Sequence, residues 1–171
     1  MLKVMQPVLK ETLGKVNLAE IASQASKNPN IHPIAEKDLS VYNKLLRKAH
    51  RTSKEWDTIL EILYSGDVFS AVLIGCSKSI TEVEGILCHK GELMVFTTLE
   101  KCKKFIDFLH ETDKSIRYVN FASFPFDYAM DIANQTQQRM VIDIPVRDVF
   151  QKCLVYESDK QKISAAFILR R

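Results

Sequence analysis

Gly91-Glu92-Leu93-Met94-Val95-Phe96-Thr97-Thr98-Leu99-Glu100 is the stretch that decides the fold. Leu93 to Phe96 make a short apolar strand. Thr97-Thr98-Leu99-Glu100 then reads as a capping box, in which the Thr97 oxygen takes an orphan amide and Glu100 reaches back. Behind it Leu99, Cys102, Ile106 and Leu109 recur at helical spacing, leaving Lys101, Lys103, Lys104 and Asp107 to solvent. Just upstream, His89-Lys90-Gly91-Glu92 offers a glycine for positive φ. The runs on either side, Ile80–Cys88 and Leu93–Phe96, are therefore expected to close as a β-hairpin.

Working outward, Val68–Cys76 is rich in β-branched residues and suits a central strand buried on both faces. Ile116–Phe121 reads as a strand, Ser123-Phe124-Pro125 opens a helix over 125–138, and Met140–Ile144 reads as a strand stopped by Pro145. Leu154–Tyr156 and Ile163–Leu169 form a last hairpin across Ser158-Asp159-Lys160. On the N-terminal side, Asp38 is the expected N-cap of a helix over 38–50. Thr52-Ser53-Lys54-Glu55 caps a second helix over 53–65, whose stripe is Trp56, Ile59, Leu60 and Leu63 and whose C′ residue is Gly66. Helices and strands interleave, yet at least two connections are hairpins. That combination implies an α+β fold: a single domain with a mixed, mostly antiparallel sheet of about five to seven strands covered by helices. The domain is expected over 36–171. Residues 1–35 are expected to form an N-terminal helical extension, with apolar positions at Val8, Leu9, Leu13 and Val16, and a linker at Asn28–Pro33.

Composition excludes several classes. The net charge of +3 is too mild to imply nucleic acid. No apolar run approaches a membrane span, and Lys3, Gln6, Lys10 and Glu11 interrupt any leader-like segment. The four cysteines, Cys76, Cys88, Cys102 and Cys153, are scattered without a Cys-x-x-Cys pair, which suits a reduced, cytoplasmic chain.

Few residues suggest chemistry. Lys44, Arg47, Lys48 and Arg51 stand at i, i+3, i+4 and i+7, a strip of cations that could meet phosphate or an acidic protein, though a solvated helix face explains it more simply. Cys88, His89, Cys102 and His110 lack metal-site spacing, so no metal and no cofactor is expected. No thiol stands at a position that would activate it, and no catalytic residue is assigned. Glu82 and Glu84, alternate positions on one strand, read as solubilising. Phe121, Phe124 and Phe126 around Pro125 either edge an apolar pocket or, as preferred, fill the core. Asp143 is a lone carboxylate in an apolar run and is the residue without a structural job.

The order of elements, with Val95-Phe96-Thr97-Thr98 before a helix and Val141-Ile142-Asp143-Ile144-Pro145 closing a later strand, resembles the N-terminal domain of SseB-like (enhanced serine sensitivity) proteins. The likeness runs over roughly residues 60–150, with Asp-Ile-Pro where that family has Asn-Pro. It implies a bacterial cytoplasmic protein without established catalytic residues, acting through contact with an unidentified protein partner. Two alternatives stand beside it. One is a small-molecule-binding or enzymatic domain with a pocket near Asp143 and Phe121–Phe126. The other is phosphate or nucleic-acid binding through the Lys44–Arg51 strip. The sequence does not decide the oligomeric state.

Overall fold

Alternation along the strands sets the architecture. In the computed structural model, which describes residues 2–4, 31–74, 83–89, 91–112, 119–146 and 151–167, Leu93 and Val95 join one core while Met94 and Phe96 join another. Met140 and Ile142 against Val141, and Leu154 and Tyr156 against Cys153 and Val155, repeat the pattern. A sheet buried on both faces needs a helical layer on each. The chain supplies both layers, and its class is α+β.

The described elements are β1 (Leu2–Val4), α1 (Glu36–Arg47), α2 (Ser53–Tyr64), β2 (Asp67–Ile74), β3 (Val83–His89), β4 (Glu92–Val95), α3 (Leu99–Thr112), β5 (Val119–Pro125), α4 (Phe126–Thr136), β6 (Met140–Ile142), β7 (Lys152–Glu157) and β8 (Lys162–Phe167). The sheet runs β5-β2-β3-β4-β6-β7-β8, with β1 paired to β3. Its strand pairs are antiparallel except for β4 with β6. Helices α1, α2 and α4 cover one face through Tyr42, Leu46, Ile59, Leu63, Ala129 and Ile132. Helix α3 covers the other through Cys102, Phe105, Ile106 and Leu109. Each large apolar side chain so buried contributes about 1.5–3 kcal/mol before conformational entropy is counted.

The parallel pair has a topological cause. From β4 the chain crosses by α3 to β5 at the far edge, then returns by α4 on the opposite face to β6, beside β4. The carboxyl ends of β4 and β6 thus lie together while the chain leaves them in different directions. In open α/β sheets such an arrangement leaves a crevice.

Several local expectations need correction. The first helix starts at Glu36, with Ala35 as N-cap, so Asp38 sits in its first turn. It also ends at Arg47, because Lys48 is already extended. Gly66 does not take positive φ; it is small because a Cβ there would lie 2.6 Å from the Ile34 nitrogen. That segment packs on the domain: Asp67 N–H donates to the His32 carbonyl at 2.8 Å, His32 N–H donates to the Asp67 carboxylate at 3.0 Å, and Ile34 is buried. Gly91 has φ +76 in the β3–β4 turn, as its hairpin requires. At the N-terminus Leu2–Val4 form a strand on β3, and the helices expected between Val8 and Ala22 lie outside the described residues.

Candidate functional site

Asp143 stands where the parallel pair ends. Its N–H donates to the Val95 carbonyl at 2.8 Å, extending the β4–β6 ladder one step beyond β6. The residue then adopts φ +61, so the strand is stopped by Asp143 itself and not, as expected, by Pro145. A left-handed backbone at a residue other than glycine costs about 1–3 kcal/mol and persists only where surrounding contacts fix it. Here the side chain does so. Its Oδ1 accepts from the Thr97 N–H at 2.7 Å, and its Oδ2 accepts from the Thr97 hydroxyl at 2.6 Å and from the Lys101 ammonium at 3.1 Å. The Asp143 side chain is 2% exposed and the Lys101 side chain 31% exposed, so a buried carboxylate is met by a cation on a partly exposed side chain.

This use of Thr97 revises the expected capping box. Its hydroxyl is committed to Asp143, and Thr98 caps α3 instead, accepting from the Lys101 N–H at 3.2 Å. Glu100 turns outward to Lys104 at 3.1 Å. On the opposite core, Tyr42 of α1 approaches the same carboxylate. Its hydroxyl is fully buried without a hydrogen bond of normal geometry, and burial first, then the Asp143 charge, push it well above the usual phenol range. Tyr42 therefore remains neutral beside the anion.

A groove of about 620 Å³ opens beside this cluster. Lys101, Lys104, Asp107 and Glu111 line it from α3; Asp143, Ile144, Pro145 and Val146 line it from the segment after β6, and Gln151 completes it. The alternative pocket near Asp143 thus has a counterpart in the fold, but without the phenylalanines. Phe124 and Phe126 are each 1% exposed and fill the core, and Phe121 packs edge-on against Phe69.

The basic strip is not assembled. Lys44 and Arg47 are exposed on α1, whereas Lys48 lies past its end and pairs with Glu55. Arg51 turns back, and its Nη1 donates to the carbonyls of Leu45, Leu46 and Lys48 at 3.0, 3.0 and 2.6 Å. Its guanidinium also lies 5.0 Å from the Trp56 ring centre. Arg51 adds a donor to carbonyls at the end of α1 and just past it, a structural role that four-residue spacing on an uninterrupted helix conceals. Cys102 and Cys153 are free and buried, and burial pushes both thiols up to about 12, which removes them as nucleophiles. Among the described residues no group of three or more His, Cys, Asp or Glu is placed to hold a metal ion. Glu82 and the side chains of Glu84, Cys88 and His89 lie outside the described residues.

Sequence position assigns Thr97 to the cap and Lys101 and Lys104 to solvent, which hides their place beside Asp143 and the groove. The available signal was Asp143: a carboxylate in an apolar run demands a buried partner, but spacing cannot say which residue 42 or 46 positions away supplies it. Comparison with family models, with curated proteins and with solved structures gives no match. The class defined by the fold is an α+β domain with a groove at the end of its parallel strand pair. No helix among the described residues is long and apolar enough to cross a membrane.

Proposed function

We propose that this chain is a non-enzymatic, ligand-binding domain of the SseB-like kind, working in a bacterial cytoplasm, whose groove beside Asp143 receives a small polar molecule. The observation that carries the reading is the Asp143 joint. A strained backbone, a buried carboxylate, Thr97 and Lys101 are gathered at the carboxyl ends of β4 and β6, beside a groove that mixes charged and apolar walls. In open α/β sheets ligand sites favour the carboxyl ends of parallel strands from which the chain departs in different directions, the position this one parallel pair reproduces, and a few placed polar groups among apolar ones is their usual lining. The order of strand, capped helix, strand, helix and strand supports the SseB-like likeness. Buried free thiols support a reducing compartment. The reading takes the groove as a binding site, lined among the described residues by lysine, aspartate, glutamate, glutamine and apolar side chains. A thermal-shift screen of amino acids, short peptides and carboxylic acids tests it, with hits repeated on Lys104→Glu. Ligands that stabilise both proteins equally, or none that stabilises either, would count against the groove.

A second reading, contact with a protein partner, draws on β8. This strand pairs only with β7 among the described residues, and Ile163 to Ala166 along it are half-buried. An uncharged edge of that kind invites strand addition. Light scattering on the wild type and on Ala165→Lys tests this reading. It predicts an assembly that the lysine disperses, and a wild-type monomer contradicts it.

A further inference from the structure

We infer that the groove selects a dipolar ligand about the length of an extended tripeptide, with its carboxylate at Lys101 and Lys104 and its ammonium at Asp107 and Glu111. This rests on the groove being the binding site. Along α3 the lining charges are segregated by sign: both cations come first and both acids follow. The centres of the two pairs are a little under two turns apart, roughly 10 Å at about 1.5 Å of rise per residue. Three residues of extended chain span about the same distance. The sense of the segregation matches the helix macrodipole, positive at the amino end, so both fields orient a dipole alike.

The remaining lining fits the middle of such a ligand. Ile144, Pro145 and Val146 provide apolar surface, and Gln151 adds an amide able to donate to or accept from a peptide bond. Asp143 does not compete for the ammonium end, because its carboxylate is already occupied by Thr97 and Lys101. Lys101 is held by Asp143 on one side and keeps further N–H donors, while a third of its side chain is exposed. Lys104 gives up only a surface pair with Glu100, both partners being mostly exposed. An anion made of a single group would use one end of this groove and be repelled at the other, whereas a dipole uses both.

The test is a chemical double cycle with Ala-Leu-Ala as the probe. Affinity is measured by calorimetry for the free peptide, its N-acetyl form and its C-amide, on the wild type, Lys104→Glu and Asp107→Lys. Both substitutions lie on exposed positions of α3 and leave the Asp143 joint intact. On the wild type, each blocked terminus weakens binding about tenfold. On Lys104→Glu the amide no longer loses to the free peptide while the acetyl form still does; on Asp107→Lys the pattern is reversed. Equal losses on all three proteins, or the opposite assignment of termini, overturn the dipolar reading. Amide shifts at the groove then tell the two claims apart. Shifts there without the coupling leave a binding groove that does not read charge, and shifts elsewhere remove both.

Discussion

Asp143 binds Thr97 twice, through the backbone N–H at 2.7 Å and the hydroxyl at 2.6 Å, and so locks the end of β6 to the turn that starts α3. Everything proposed about the groove depends on this joint, because it sets the angle between the helix and the apolar wall. Asp143→Ala removes a charged acceptor and leaves the Thr97 N–H buried and unpaired, for a loss of about 3 kcal/mol. Asp143→Asn keeps an acceptor and tolerates the left-handed backbone, so its loss should be nearer 1 kcal/mol. Asp143→Gly should be about 1 kcal/mol more stable than Asp143→Ala, because glycine relieves the positive φ. Urea titrations rank the three, and an alanine variant as stable as the glycine one removes the strain from the account.

Two glycines give opposite reasons for the same residue type. Gly66→Ala drives a Cβ to 2.6 Å from the Ile34 nitrogen, so backbone must shift, at about 1–3 kcal/mol. Gly91→Ala meets open space but keeps φ +76, at a cost of about 1 kcal/mol. Replacing Gly91 by Asn, which tolerates that φ, should recover part of the loss, while Gly66→Asn should be worse than Gly66→Ala. Thermal melts decide both orders.

Arg51 should matter more than the cations that precede it. Arg51→Ala takes a donor from three carbonyls at the end of α1, of which Leu45 keeps the Lys48 N–H and Lys48 keeps the Lys152 ammonium, and removes the stacking on Trp56, an expected loss of about 2 kcal/mol. Lys44→Ala and Arg47→Ala, on exposed positions, should each stay within about 0.5 kcal/mol. Arg51→Lys should recover little, since an ammonium neither forks nor stacks. Chemical denaturation of the four variants checks this.

Alkaline pH should weaken the fold. Cys102 and Cys153 are raised to about 12, and Tyr42 is raised well above the phenol range, in each case first by burial. Unfolded, the thiols ionise near about 8.5 and the phenol near about 10. Above those values the unfolded chain binds fewer protons than the native one, so stability, complete below the thiol range, falls as pH rises. Denaturation midpoints should be level from pH 6 to 8 and drop beyond pH 9, less steeply in Cys102→Ala once its own loss of packing is subtracted. A level profile to pH 11 is the contrary result. In the same native protein, site-resolved alkylation should spare Cys102 and Cys153.

Patterning made much of the fold legible and left the site obscure. The Gly91 turn and the Thr52 capping box depend on neighbours within a few positions and appear as expected, as do Trp56, Ile59 and Leu63 of the stripe, although Ile62 takes the buried place expected of Leu60. Phe121 and Phe124 go to opposite cores because strand period two sends them there, and Phe126 joins the core of Phe124 as the first residue of α4. What was hidden is non-local. Thr97 leaves the cap for Asp143, the basic strip breaks because α1 ends at Arg47, and Gly66 answers to Ile34, far off in the chain. Local energies favoured the simpler assignment in each case, and long-range contacts of a kcal/mol or two, in rough terms, reversed it.

The most direct test of the groove is amide shift mapping on the ¹⁵N-labelled protein titrated with Ala-Leu-Ala. The account predicts saturable shifts concentrated at Lys101, Lys104, Asp107, Ile144, Val146 and Gln151, weakened in Asp107→Lys, where N-acetylating the peptide weakens them no further. Shifts that cluster on α1 or β8 instead, or none at any accessible concentration, would contradict it.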